Sequence, residues 1–190
     1  MWRAVTPFVL PLLISLIPAH GLPSPSCPSV SVELLQDEHM EGRLISLVRN
    51  ATQEIWIATF SFKAGEHPDA PPDRLVTELG LARKRGVQVR VLLERPETPS
   101  SDLARENQRT TRLLRKERVE VFHDRPDRRS HMKLVVVDNR YVIIGSHNLT
   151  SSAMRHNHEL SVLLDSPCAA GQAVRYIKGI IQEAGGVNAP

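Results

Sequence analysis

The sequence predicts an α/β protein whose mixed β-sheet is sandwiched between helices. Three observations predict it. β-Branched runs such as EIWIATFSF (54–62), VQVRVLLE (87–94) and HELSVLLD (158–165) read as strands. Stretches with apolar residues at helical spacing separate them, and strand–helix alternation is the mark of the α/β class. A composition of 41% hydrophobic and 24% charged residues over 190 positions suits one domain with a full-sized core, and names no activity.

The elements follow in order. SVSVELL (29–35) alternates like a short strand. DEHMEGRLISLVRNATQ then sets Met40, Leu44, Ile45 and Val48 at helical spacing, and EIWIATFSF returns to β-branched and aromatic residues. The polar KAGEHPDAPPD (63–73) is a loop. A second helix, Asp73 to Arg85, stops at Gly86 before VQVRVLLE. A third helix, Ser101 to Arg118, leads into the strand VEVFHD and the basic turn RPDRRS (125–130). The strand HMKLVVVD (131–138), its partner RYVIIGSHN (140–148), HELSVLLD and a last helix from Ala169 to Glu183 complete the chain.

Residues 1–21 read as a signal peptide: one early Arg3, an apolar stretch from Phe8 to Ile17, and small residues at Ala19 and Gly21. That stretch is roughly half the ~20 residues a spanning helix needs, and Pro7 and Pro11 interrupt it. The expected location is periplasmic or secreted, with an uncleaved membrane anchor as the alternative. Residues 22–29 form a Pro/Ser-rich arm, and 30–190 a single domain. Cleavage would lower the formal charge from +3 to +2 by removing Arg3. An exported chain meets oxidising conditions, so Cys27 and Cys168 could form one disulfide, although sequence cannot bring their Cα atoms together.

HMKLVVVD raises a question, because a histidine and a lysine head a stretch built for burial. Strand side chains alternate, so His131 and Lys133 share a face. Ser146 and Asn148 in GSHN repeat that spacing. A two-residue turn at Asn139 and Arg140 pairs Asp138 with Tyr141, Lys133 with Ser146 and His131 with Asn148. A turn at Asp138 and Asn139 keeps the shared face, whereas a three-residue loop would scatter the four. Lys133 supplies charge, Asn148 amide hydrogens and Ser146 a hydroxyl, all suited to phosphate oxygens. His131 is left as nucleophile or acid/base, and Glu159 is placed to accept its ring proton and hold the tautomer.

His131, Lys133 and Asp138 together read H-x-K-x-x-x-x-D, which resembles the signature of the phospholipase D superfamily, and GSHN with Glu159 resembles the rest of its site. From Val32 onward the chain looks like the compact single-motif branch that includes small secreted bacterial endonucleases. The resemblance implies a phospholipase D-like fold and, because this chain has one motif where a site uses two, a homodimer with the active site across its two-fold axis. It also implies a two-step reaction through a phosphohistidine, with no cofactor and no obligatory metal. His131, Lys133, Ser146, Asn148 and Glu159 are then the catalytic set, with two histidines titrating as a coupled pair. Asp138, at a hairpin turn, is expected to be architectural.

Basic residues crowd the chain before His131, and Arg125, Arg128 and Arg129 beside the motif are expected to bind substrate, a polyanion. The mixed charges of 101–118 read instead as a solvated helix face. Polar or basic loops at 63–73 and 125–130 favour nucleic acid, with phospholipid as the alternative substrate. Phe60, Phe62, Phe122 and Tyr141 offer no evident stacking platform for single strands. A non-enzymatic nucleic-acid-binding module is the third class. His147, His156 and His158 match no standard metal spacing. Of the two glycosylation patterns, at Asn50 and Asn148, the second is better explained by the site.

Overall fold

The computed structural model describes Cys27 and residues 30–186. The expected signal peptide and most of the arm lie outside the described residues. Seven strands form one sheet in the order β1-β7-β6-β5-β2-β3-β4. In chain order these are β1 (Ser31–Gln36), β2 (Glu54–Thr59), β3 (Gln88–Leu93), β4 (Glu120–His123), β5 (Lys133–Val137), β6 (Tyr141–Gly145) and β7 (Leu160–Asp165). The helices are α1 (His39–Asn50), α2 (Pro71–Lys84), α3 (Asp102–Lys116), α4 (Ser151–Arg155) and α5 (Pro167–Glu183).

The sheet is mixed. β2, β3 and β4 run parallel, joined by helical crossovers, while β2–β5, β5–β6, β6–β7 and β7–β1 are antiparallel. Strands covered on both faces need near-continuous apolar runs, and Trp56, Ile57 and Ala58 in β2 and Leu134 to Val137 in β5 supply them. On one face, Leu44, Leu75, Leu114 and Met154 from α1 to α4 pack on Ile57, Val91, Val135 and Ile143. On the other, Val174 and Ile177 of α5 pack on Trp56, Val136 and Val142. This is the predicted sheet between helical layers, with one layer much thicker.

Local chemistry fixes the helix ends. Pro71 opens α2, Gly86 leaves it at φ +94°, and the Ser101 and Ser166 hydroxyls accept from Ala104 N and Ala169 N to cap α3 and α5. Helix α4 escaped the sequence because five residues with Ala153 and Met154 buried are too few to show a period. A Cys27–Cys168 disulfide, with Cα atoms 5.7 Å apart, ties the arm to the first turn of α5.

Two strand limits correct the sequence reading. β5 begins at Lys133 and β6 ends at Gly145, so His131, Ser146 and Asn148 lie just outside the strands. Val137 pairs with Tyr141, which makes the hairpin turn three residues long, 138–140. Asp138 and Asn139 both take positive φ there, a conformation that Asp and Asn accept more readily than most residues.

Candidate active site

The three-residue turn moves the register by one, so Lys133 falls beyond the Leu134–Ile144 pair, level with Gly145 and not Ser146. The expected route to convergence is therefore wrong. The chain uses another. β6 ends where Gly145 passes so close to Ser161 that any side chain would collide with it. Ser146 N then donates to Leu160 O at 3.1 Å, and three residues further Leu149 N donates to Ser61 O at 3.0 Å as Leu149 bridges to Phe62. The GSHN segment thus leaves β7 and crosses to the end of β2. On that side, Phe60 N donates to Met132 O at 2.8 Å, holding the residues before β5.

The result is two adjacent pairs. Lys133 Nζ lies 3.1 Å from Nδ1 and 3.2 Å from Nε2 of His131, and donates to the His131 carbonyl at 3.0 Å. The Phe60 ring stands 4.7 Å from the imidazole. In the second pair, the Ser146 hydroxyl donates to Glu159 Oε2 and accepts from Leu160 N at 3.1 Å. Asn157 Nδ2 donates to Glu159 Oε1 at 3.1 Å, and Asp37 accepts from Glu159 N at 2.8 Å. Glu159 therefore serves Ser146 within one chain, where the sequence reading gave it to His131. The two pairs feel each other, since the Glu159 charge acts on Lys133.

Electrostatics favour a neutral imidazole. Burial lowers the His131 pKa, and Lys133 and Arg129 push it the same way. Burial also lowers Lys133, with Glu159 opposing. Asn148 adds a half-buried amide whose Oδ1 is buried without a hydrogen-bond partner. Such an orphan is rare in native interiors.

Asp138 lies at the opposite end of β5. Its carboxylate accepts from Thr52 N, Gln53 N and Glu54 N at 2.9, 2.8 and 3.1 Å, and from the Thr52 hydroxyl at 3.1 Å. Burial raises its pKa, but these bonds outweigh that and hold it below the usual carboxylate value. It pins the hairpin to the start of β2.

The three arginines separate. Arg125 is engaged by Asp127, Nε to Oδ1 at 2.9 Å, so the structure gives it to its own turn and not to His131. Arg128 and Arg129 do line a cavity that includes His131. Glu94, which the sequence reading did not single out, is buried and accepts from Ser130 N at 2.6 Å, anchoring the residue before His131. Only the fold brings them together; 36 residues separate them.

The other histidines diverge. His147 is buried, with Nδ1 2.7 Å from the Ser161 hydroxyl and Nε2 3.0 Å from Asp37 O, and it locks β6 and β7 to the turn before α1. His156 and His158 are exposed and lie before β7.

A mixed sheet carries the His131–Lys133 pair beside the Ser146–Glu159 pair, an arrangement of the phospholipase D-like class. The chain matches the family described as "Cardiolipin synthase, PLD-like domain" over residues 44–181, and it belongs to the phospholipase D superfamily. Mouse mitochondrial cardiolipin hydrolase is 29% identical over 80% of this chain, and a phospholipase D of Rickettsia bellii 32% identical over 52%. The chain spans 62% and 47% of those two proteins. Among solved structures, the phospholipase D family member Nuc of Salmonella typhimurium superposes with a TM-score of 0.67 at 21% identity, covering 81% of this chain and 95% of Nuc. NucT of Helicobacter pylori gives 0.62 at 18%, covering 81% and 97%. At those identities the likeness is one of fold.

Proposed function

We propose that the protein is a metal-independent phosphodiesterase, a non-specific endonuclease that hydrolyses DNA or RNA through a phosphohistidine, working as an exported homodimer. The observation that carries this reading is the His131–Lys133 pair beside the Ser146–Glu159 pair, with Arg128 and Arg129 on the adjoining wall.

The neutral His131 ring attacks phosphorus, forming a P–N bond and breaking the P–O bond to the leaving oxygen. That oxygen takes its proton from a second imidazole. One chain carries one such histidine, so the acid is His131 of a second copy. Now neutral, the acid removes a proton from water, whose oxygen attacks phosphorus and releases the first ring. Lys133 and the Asn148 amide donate to the non-bridging oxygens, and Glu159 holds Ser146 alongside them.

An exposed apolar strip supports the second copy. Val32, Leu34, Ile144 and Leu160 share one sheet face, and Leu160 adjoins Glu159. Burying it against another chain would bring a second site to the first. The disulfide supports export, because such bonds persist in oxidising compartments.

A second reading, a phospholipase D acting on phospholipid, is favoured by the names of the curated relatives. Purified protein and His131→Ala, in excess chelator, are incubated with plasmid DNA and separately with phosphatidylcholine vesicles. Nicking lost in the variant supports the nuclease. Choline release alone moves the protein to lipid, and DNA binding without turnover makes it a binding module.

A further inference from the structure

The cavity that holds His131 has a second wall that the catalytic residues do not use. It measures about 130 Å³ and lies between the 124–132 segment, which supplies Asp124, Arg128, Arg129 and Met132, and the last turns of α5, which supply Tyr176, Ile180 and Glu183. The two walls face each other, since the Glu183 charge acts on Asp124 and on Arg125. Tyr176 is 57% exposed, so its ring is accessible to a ligand at this wall.

From this cavity we infer that, given the phosphodiesterase reading, it seats the nucleoside next to the scissile phosphate, with the base stacked on Tyr176 and the neighbouring phosphate held by Arg128 and Arg129.

The chemistry selects that occupant. Sites that enclose a whole small molecule run to about 300–1,000 Å³, so this one takes a single ring of a larger substrate. Every base offers a π-face to an exposed tyrosine, which gives affinity without sequence preference. Met132 and Ile180 supply apolar edges. Asp124, 7% exposed and held by Arg125 N at 2.6 Å, adds an acceptor to the cavity wall. A choline head group would find Tyr176 congenial, but two guanidinium groups would repel it. A phosphate-linked nucleoside suits both the ring and the arginines.

The test uses two chromogenic diesters, the p-nitrophenyl phosphodiester of deoxycytidine and methyl p-nitrophenyl phosphate, which lacks a base. Hydrolysis by the unmutated protein, Tyr176→Ala and Tyr176→Phe is followed in excess chelator. The expected result is that Tyr176→Ala lowers the ratio of kcat/KM, nucleoside over methyl ester, about tenfold, the scale of one lost base–aromatic stack, and does so mainly through KM. Tyr176→Phe, which keeps the ring, restores the ratio. An unchanged ratio in Tyr176→Ala, or a fall shared equally by both esters, overturns the inference while leaving the phosphodiesterase reading in place. Failure of the unmutated protein to cleave either ester overturns that reading and the inference with it.

Discussion

The Lys133 ammonium stands 3.1 Å and 3.2 Å from the two ring nitrogens of His131. A cation there, added to burial, keeps the ring unprotonated to a lower pH than a free histidine. On the proposed reading the nucleophile must be neutral, and it is then available below the ordinary histidine value of about 6.5. The acid limb of kcat/KM is expected below that pH. Lys133→Met should move the limb upward and lower the rate about 10²–10³-fold, read from pH profiles of both proteins.

Asn148 carries a buried oxygen with no partner, which a free enzyme holds at a cost of about 1–3 kcal/mol. Asn148→Ala should therefore raise the melting temperature while lowering kcat about 10²–10³-fold. Calorimetry and a turnover assay on the same preparation check both halves.

Glu94 accepts from the amide of Ser130, the residue before His131. Removing the acceptor leaves that buried amide unsatisfied. Glu94→Ala should destabilise the fold by about 1–3 kcal/mol in denaturant unfolding and, on the proposed mechanism, reduce kcat more than it raises KM, because it loosens the backbone beside His131.

His123 is largely buried against the Thr111 hydroxyl, 3.0 Å from Nε2, and burial together with Arg115 and Arg95 lowers its pKa to about 4. Between 6.5 and about 4 the unfolded chain binds a proton that the fold rejects. Its contribution therefore makes stability fall as pH drops through that window. His123→Gln should flatten this part of a stability–pH curve, as measured by unfolding at several pH values.

Reduction of the Cys27–Cys168 bond, which closes a loop with a sequence separation of 141, should lower unfolding free energy by about 2–5 kcal/mol. The Cys168→Ser protein should unfold at the same point with and without reductant.

Much of this was legible in the sequence because it rests on short-range pattern. Continuous apolar runs announced β2, β3 and β5, and the spacing of His131, Lys133, Ser146 and Glu159 announced which residues the candidate site would gather. Register was not legible. Asp138 and Asn139 accept positive φ in two-residue and three-residue turns alike, so composition could not choose between them. The three-residue loop broke the expected opposition of Lys133 and Ser146. Gly145 and the crossing of Leu149 to Ser61 bring the GSHN segment back toward His131 by a path that no periodicity encodes. Glu94 and Tyr176 were invisible for a related reason, since each reaches the site from an element remote in the chain.

The pairing of β1 with β7 bears on how the protein comes into being. Among the described strands β1 pairs only with β7, the last, whereas the β5–β6 hairpin closes over a few residues. Such long-range closure is slow and comes late. During synthesis β1 and its exposed Val32 and Leu34 stay unpaired until Asp165 has emerged. The nascent chain thus remains unfinished over most of its length, and the Glu159–Ser146 half of the site forms only as the final strand docks.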